Sequence, residues 1–347
     1  MTTDLQRRES GFTLVELMIS LVLGLIVIGG SLAMFASQRV TTRLSGEMTD
    51  VQADGRLALD AMARDLRAAG DFGCWPVANP IDGRLNSMVF DVTKGGIVGY
   101  TAATLALANS STAPNGVDAV KAVADGVSAA VALTGVNGTL TNLSADMAGE
   151  SDGLSVKTPV EPFKANDVAV ITDCINWAKF QVTDVAAGAA DSVKLLHAGG
   201  VLPAYGGGNK DGNLGASFRK DSTVGRLDTV WWFIGTVDKQ KGLYRLSARD
   251  GAPVLVSKRI YAIDLAYDID VNDDGVVAAA DTGKKASDLL AADWPRVRSV
   301  NIQMLLQSEK TADAGGKVAV TSFAGVTVPT DKRVYLPLQM NVALRNQ

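Results

Sequence analysis

The chain has 347 residues, of which 47% are hydrophobic and 20% charged, with a formal net charge of −4. That length allows a sizeable core and one or two domains. The mild acidity argues against a basic nucleic-acid surface. The 35 glycines and 10 prolines suit strands joined by turns. Two cysteines, Cys74 and Cys174, lack the close spacing of a zinc or redox pair. Taken alone they fit two buried free thiols or, in an exported protein, a disulfide.

Residues 1–11 are polar and include Arg7 and Arg8. No charged residue occurs from Leu17 to Gln38, a run of 22. At about 1.5 Å per residue, that run spans a hydrocarbon core of about 30 Å. The cations precede it, which keeps the leader in the cytoplasm and exports the rest. Glu16 opens the apolar run, where an ionised carboxylate is costly, and so reads as functional. The plainer alternative puts it at the headgroup boundary.

Gly11-Phe12-Thr13-Leu14-Val15-Glu16 resembles the type IV prepilin cleavage motif. The resemblance implies that a prepilin peptidase cuts after Gly11 and methylates Phe12, the new N-terminus. It also implies that Glu16 pairs with the N-terminal amine of a neighbouring subunit during assembly. Two opposite charges enter an apolar bundle together more cheaply than either does alone. A secretory signal cut after Ala33 leaves Glu16 unexplained, and a plain membrane anchor is the other competitor. Export, once implied, favours a Cys74–Cys174 bridge. A closed loop of about 100 residues is worth about 4–5 kcal/mol in the chain-entropy model.

After Arg39 an apolar stripe continues through Val40, Leu44, Met48, Val51, Gly55, Leu59, Met62, Leu66 and Ala69. Its spacing of three and four predicts an amphipathic helix, and Gly70 is a natural stop. Residues 12–38 are expected to be the transmembrane or filament-core half, and 39–70 the amphipathic half. Together 12–69 form a rod of about 87 Å. Gly24, Gly29 and Gly30 either ease bending of the first half or simply reflect the frequency of glycine in membrane helices.

Residues 71–347 read as a β-rich head. The expected strands are 167–172, 178–185, 192–196, 229–235, 243–247, 261–269, 297–306 and 334–344. Val300, Ile302, Met304 and Leu306 alternate, as a half-buried strand requires. Residues 101–151 are rich in Ala, Ser, Thr, Gly and Asn and read as a low-complexity surface insertion with weak strands. A long helix followed by mostly antiparallel strands is the α+β class.

Arg64-Asp65-Leu66-Arg67-Ala68-Ala69-Gly70 with Phe72-Gly73-Cys74, and Tyr267-Asp268 with Asp293-Trp294, resemble the PilW group of minor pilins. That resemblance implies a role in initiating or capping a type IV pilus. The implied partners are other minor pilins, the major pilin and a tip adhesin. The head would lie in the periplasm, tethered to the inner membrane, before reaching the cell surface. A J-type pseudopilin of type II secretion is the rival within the class.

Asp270, Asn272, Asp274 and Gly275, with Val276 and Asp281, fit the spacing of a calcium loop. Side-chain oxygens of the first three would point inward, the Val276 carbonyl would add a ligand, and Asp281 stands where Glu is usual. A solvated turn is the alternative. No catalytic constellation is evident. His197 is the one histidine, and no nucleophile elbow accompanies it. The glycine-rich stretch 205–212 lacks the Gly-Lys-Ser/Thr ending of a phosphate loop and reads as a flexible loop. The chain is therefore expected not to be an enzyme, with a membrane-tethered exported hydrolase as the alternative from another class.

Overall fold

The computed structural model describes residues 13–74, 79–81, 95–109, 114, 116–136, 140–189, 191–200, 207–309, 320–331 and 333–345. The leader 1–11 and Phe12 lie outside them. One helix, α1, runs from Leu14 to Ala68, 55 residues. It stops where Gly70 takes φ +75°, a left-handed conformation that costs glycine little. The stripe inferred from spacing is the buried face: Val51, Leu59, Met62, Leu66 and Ala69 are in the core, while Arg56, Asp60, Arg64 and Arg67 are exposed.

The strands, in chain order, are β1 (Asn79–Ile81), β2 (Ile97–Tyr100), β3 (Ala130–Val136), β4 (Thr141–Asn142), β5 (Leu154–Lys157), β6 (Val168–Thr172), β7 (Asn176–Gln181), β8 (Asp184–Ala187), β9 (Ser192–Leu196), β10 (Thr223–Val237), β11 (Gln240–Ser247), β12 (Pro253–Ser257), β13 (Ile260–Ile269), β14 (Val297–Gln307), β15 (Ser322–Phe323), β16 (Val326–Thr327) and β17 (Tyr335–Ala343). The largest sheet is organised by β10. One edge of β10 pairs first with β6 and then with β11, and the other pairs with β4 and then β3. A second sheet, β13-β14-β17, is antiparallel throughout. The α+β architecture expected from the sequence is the one observed.

Helix α1 seats on both sheets. Its buried face shares one cluster with Leu133 of β3, Trp232 and Ile234 of β10, and Ile302, Met304 and Leu306 of β14. Two sets of polar contacts pin it. Asp65 Oδ2 accepts from Trp232 Nε1 at 2.9 Å and Arg245 Nε at 2.7 Å. Arg259 lies 3.0 Å from Asp54, 3.7 Å from Glu47 and 3.9 Å from Asp50.

Three sequence expectations are corrected. Residues 101–151 are not merely a surface insertion, because β3 lies inside the main sheet with Val131 and Leu133 buried. Its small residues permit close approach: a Cβ on Gly135 would come within 2.9 Å of the Ala68 carbonyl oxygen. The expected strand 178–185 divides between β7 and β8, which belong to different sheets. The strand expected at 229–235 extends over Thr223–Val237.

Gly55 lies where α1 meets β14, and a Cβ there would come within 2.4 Å of Leu306 Cδ2. Gly55→Leu should therefore overpack the seat and cost about 1–3 kcal/mol. Denaturation of the full chain in detergent measures this; unchanged stability would show that the seat is loose.

Candidate functional site

Nothing among the described residues covers the first half of α1. Large apolar side chains from Leu14, 76% exposed, to Phe35, 64% exposed, face outward all around the helix. The segment is long and apolar enough to cross a membrane, and none of its most apolar window is buried. A bare apolar surface of this size requires lipid or other chains around it. The helix is unbroken through Gly24, Gly29 and Gly30.

Thr13 caps the helix, and Glu16 completes a capping box with it. The Thr13 N–H donates to Glu16 Oε2, and the Glu16 N–H donates to Thr13 Oγ1, both at 3.3 Å. A carboxylate in the first turn also suits the positive end of the helix dipole. Gly11 and Phe12 lie outside the described residues.

Residues 6–32 match the profile of the prokaryotic N-terminal methylation motif. This is a prepilin-type N-terminus. It supports a type IV pilin-like protein, either pilin or pseudopilin, and implies processing by prepilin peptidase and association with the membrane and the pilus. The match ends at residue 32, so it does not extend to the head. No curated protein gives a significant match to the chain.

Behind the helix, Cys74 and Cys174 are joined, with Cα atoms 5.0 Å apart. The bridge ties the segment leaving α1 to the turn between β6 and β7. That turn is tightly held: Asp173 Oδ1 accepts from the Ile175 and Asn176 N–H groups at 2.9 and 2.6 Å. Nearby, Trp177 Nε1 donates to the Phe72 carbonyl at 3.3 Å, and the two rings meet edge to face.

The loop after β13 takes the curl that its spacing implies. Asp273 has φ +53° and Gly275 φ +82°. Asp270 is fully buried; its Oδ2 accepts from the Gly275 N–H at 2.9 Å and its Oδ1 from the Asp274 N–H at 3.2 Å. Burial pushes the Asp270 carboxyl up, but these amides and Arg298 hold it below the usual carboxylate range. Asn272, Asp274 and Val276 are exposed, and Asp281 is half-buried on a 3₁₀ turn. The curl is closed on Asp270 by these backbone amides and by Arg298, whose Nε donates to Asp270 Oδ2 at 3.3 Å. Among the described residues no three Asp, Glu, His or Cys side chains form a group able to hold a metal, so the expected ligands Asp270, Asn272, Asp274 and Asp281 are not brought together.

His197 is buried against Phe180, and its Nε2 lies 2.8 Å from the Asp152 carbonyl oxygen. The expected flexible loop 205–212 is, in its described part, anchored. Asn209 Oδ1 accepts from the Gln181 N–H at 2.7 Å, and its Nδ2 donates to the Gln181 carbonyl at 2.8 Å. In effect this side chain lengthens the β7 edge, a role that one Asn among glycines does not announce. The Asp65 and Arg259 contacts were likewise not read from the sequence.

Burial lowers the His197 pKa despite the opposing Asp152 hydrogen bond. The unfolded chain then binds more protons between the ordinary value of 6.5 and the lower folded one, so stability rises with pH across that window. Full stability should be present above about pH 6.5 and fall on acidification below it. His197→Gln should flatten this dependence; an unchanged pH profile of melting would show that the imidazole is not its source.

Proposed function

We propose that this chain is a minor pilin of a type IV pilus, of the PilW type, acting at initiation or in the tip complex. The observation that carries the reading is the bare, apolar half of α1, with Glu16 its one charge before Arg39, joined without a break to a half locked into a large head. Such a rod can leave a bilayer and enter a bundle of similar rods while the head stays folded. The size of the head and the Cys74–Cys174 bridge favour a minor pilin over a J-type pseudopilin. The natural partners are other minor pilins, the major pilin and a tip adhesin, with the head periplasmic before assembly and surface-exposed after it. The role is structural rather than enzymatic: His197 is engaged by a backbone carbonyl, which supports a packing function.

Gly11→Val should leave uncut, full-length protein in the inner membrane. Glu16→Ala should be cut normally yet support few pili. Immunoblotting and pilus counts measure the two. Normal cleavage of the first variant sinks the prepilin reading, and wild-type piliation with the second confines Glu16 to capping its own helix.

We also propose that the 270–281 loop takes calcium, which would draw Asn272, Asp274 and Asp281 inward around the Asp270 curl. Occupancy at ten times the dissociation constant adds about 1.4 kcal/mol. The full chain in detergent should melt higher in millimolar calcium than in chelator. Asn272→Ala with Asp281→Ala should remove the difference while leaving buried Asp270 in place. Equal melting of the unaltered chain in calcium and chelator rules the site out.

A further inference from the structure

A cleft of about 490 Å³ is walled by Arg226 and Asp228 of β10, Arg245 of β11, Arg249, Asp250, Lys164 and Glu161, so that four cations face three carboxylates. The three arginines are not equally committed. Arg249 grips Asp167 with two donors, Nε at 2.6 Å and Nη2 at 3.3 Å. Arg245 is held by Asp65 of the helix. Arg226 differs: its Nη2 donates to Glu161 Oε2 at 2.7 Å, while its buried Nε has no hydrogen-bond partner among the described residues. The Arg226 side chain is 10% exposed, whereas that of Glu161 is 58% exposed. A buried donor left unused is costly, and a guanidinium edge is shaped for both oxygens of one carboxylate.

Glu161 meets that demand only in part. It sits in residues 158–164, which form neither helix nor strand, beside the exposed Val160. It can therefore swing out without breaking a regular element. An ion pair this exposed on one side is worth little, so its loss is a small cost to an incoming anion. Exchanging one carboxylate for another also leaves the charge of the cleft unchanged. Lys164 at the rim makes no ion pair among the described residues and adds attraction.

We propose that this cleft binds a carboxylate ligand in exchange for Glu161, with Arg226 Nε and Nη2 gripping both of its oxygens. The ligand chemistry is that of an acidic side chain or a C-terminal carboxylate on a partner polypeptide. Glu161 is then a built-in placeholder, and the assignment is independent of the pilin reading.

The test uses the full chain in detergent with labelled peptide probes at fixed ionic strength. One probe carries glutamates and an amidated C-terminus; the other has neutral side chains and a free C-terminal carboxylate. Inorganic phosphate is the anion control. At least one peptide should bind, and which one does identifies the source of the carboxylate. Glu161→Gln should tighten that binding, by roughly fivefold if the lost pair was worth about 1 kcal/mol. Arg226→Gln should abolish it. Arg226→Lys keeps the charge without the fork, and should weaken binding with little change in melting. Opposite effects of the Glu161 and Arg226 variants support the exchange, because a purely structural pair would lose binding either way. Failure of both peptides, phosphate binding as well as a peptide does, no gain in Glu161→Gln, or wild-type binding in Arg226→Lys overturns the proposal.

Discussion

The seating of α1 across two sheets is the contact on which the rest of the molecule depends. Met62, Leu66 and Leu59 are each buried within a cluster that also contains residues of β3, β10 and β14. Each such side chain contributes about 1.5–3 kcal/mol through burial. The same cluster joins the large sheet to β13-β14-β17, so the helix is a shared core element and not an attachment. Asp65 and Arg259 then fix its rotation and slide, because each binds partners contributed by the other side of the seat.

The bare half of the helix follows from that arrangement. No described part of the head covers residues 14–35, and apart from Glu16 and the hydroxyls of Ser20 and Ser31, which donate back to the helix backbone, the side chains there are apolar. The one charge between residues 13 and 38, Glu16, is turned back onto the Thr13 cap. A carboxylate closed on its own helix start is less costly to carry through an apolar environment than one pointing outward. The capping box thus uses a residue that also lies inside the matched N-terminal methylation motif.

The helix was legible because a 3.6-residue period persists from Val51 to Ala69 and ends at a glycine. Strand β14 was legible because Val300, Ile302, Met304 and Leu306 alternate. Strand β3 was not, since its Ala, Thr and Gly residues are selected for close approach and resemble loop composition. The start of β10 was obscured by Arg226 and Asp228, charges that face a cleft instead of solvent. The Asp65–Arg245 pair joins positions 180 residues apart, and nothing local marks either partner. The 270–281 spacing was readable, but the hold of Arg298 on Asp270 comes from a neighbouring strand and was not.

The Cys74–Cys174 bridge has a mechanical consequence. A filament subunit is loaded along its axis, and tension on the rod leaves α1 only a few residues before Cys74. The bridge spans a sequence separation of 100, so the force bypasses the chain between the two cysteines and enters at the β6–β7 turn. At about 3.3–3.6 Å per residue, some 330–360 Å of contour length cannot be paid out. Under pulling, β2 and β3 are inside that closed loop and β10 is outside it. The ladders of β3, β4 and β6 with β10 therefore join length-locked segments of the sheet to an extensible one.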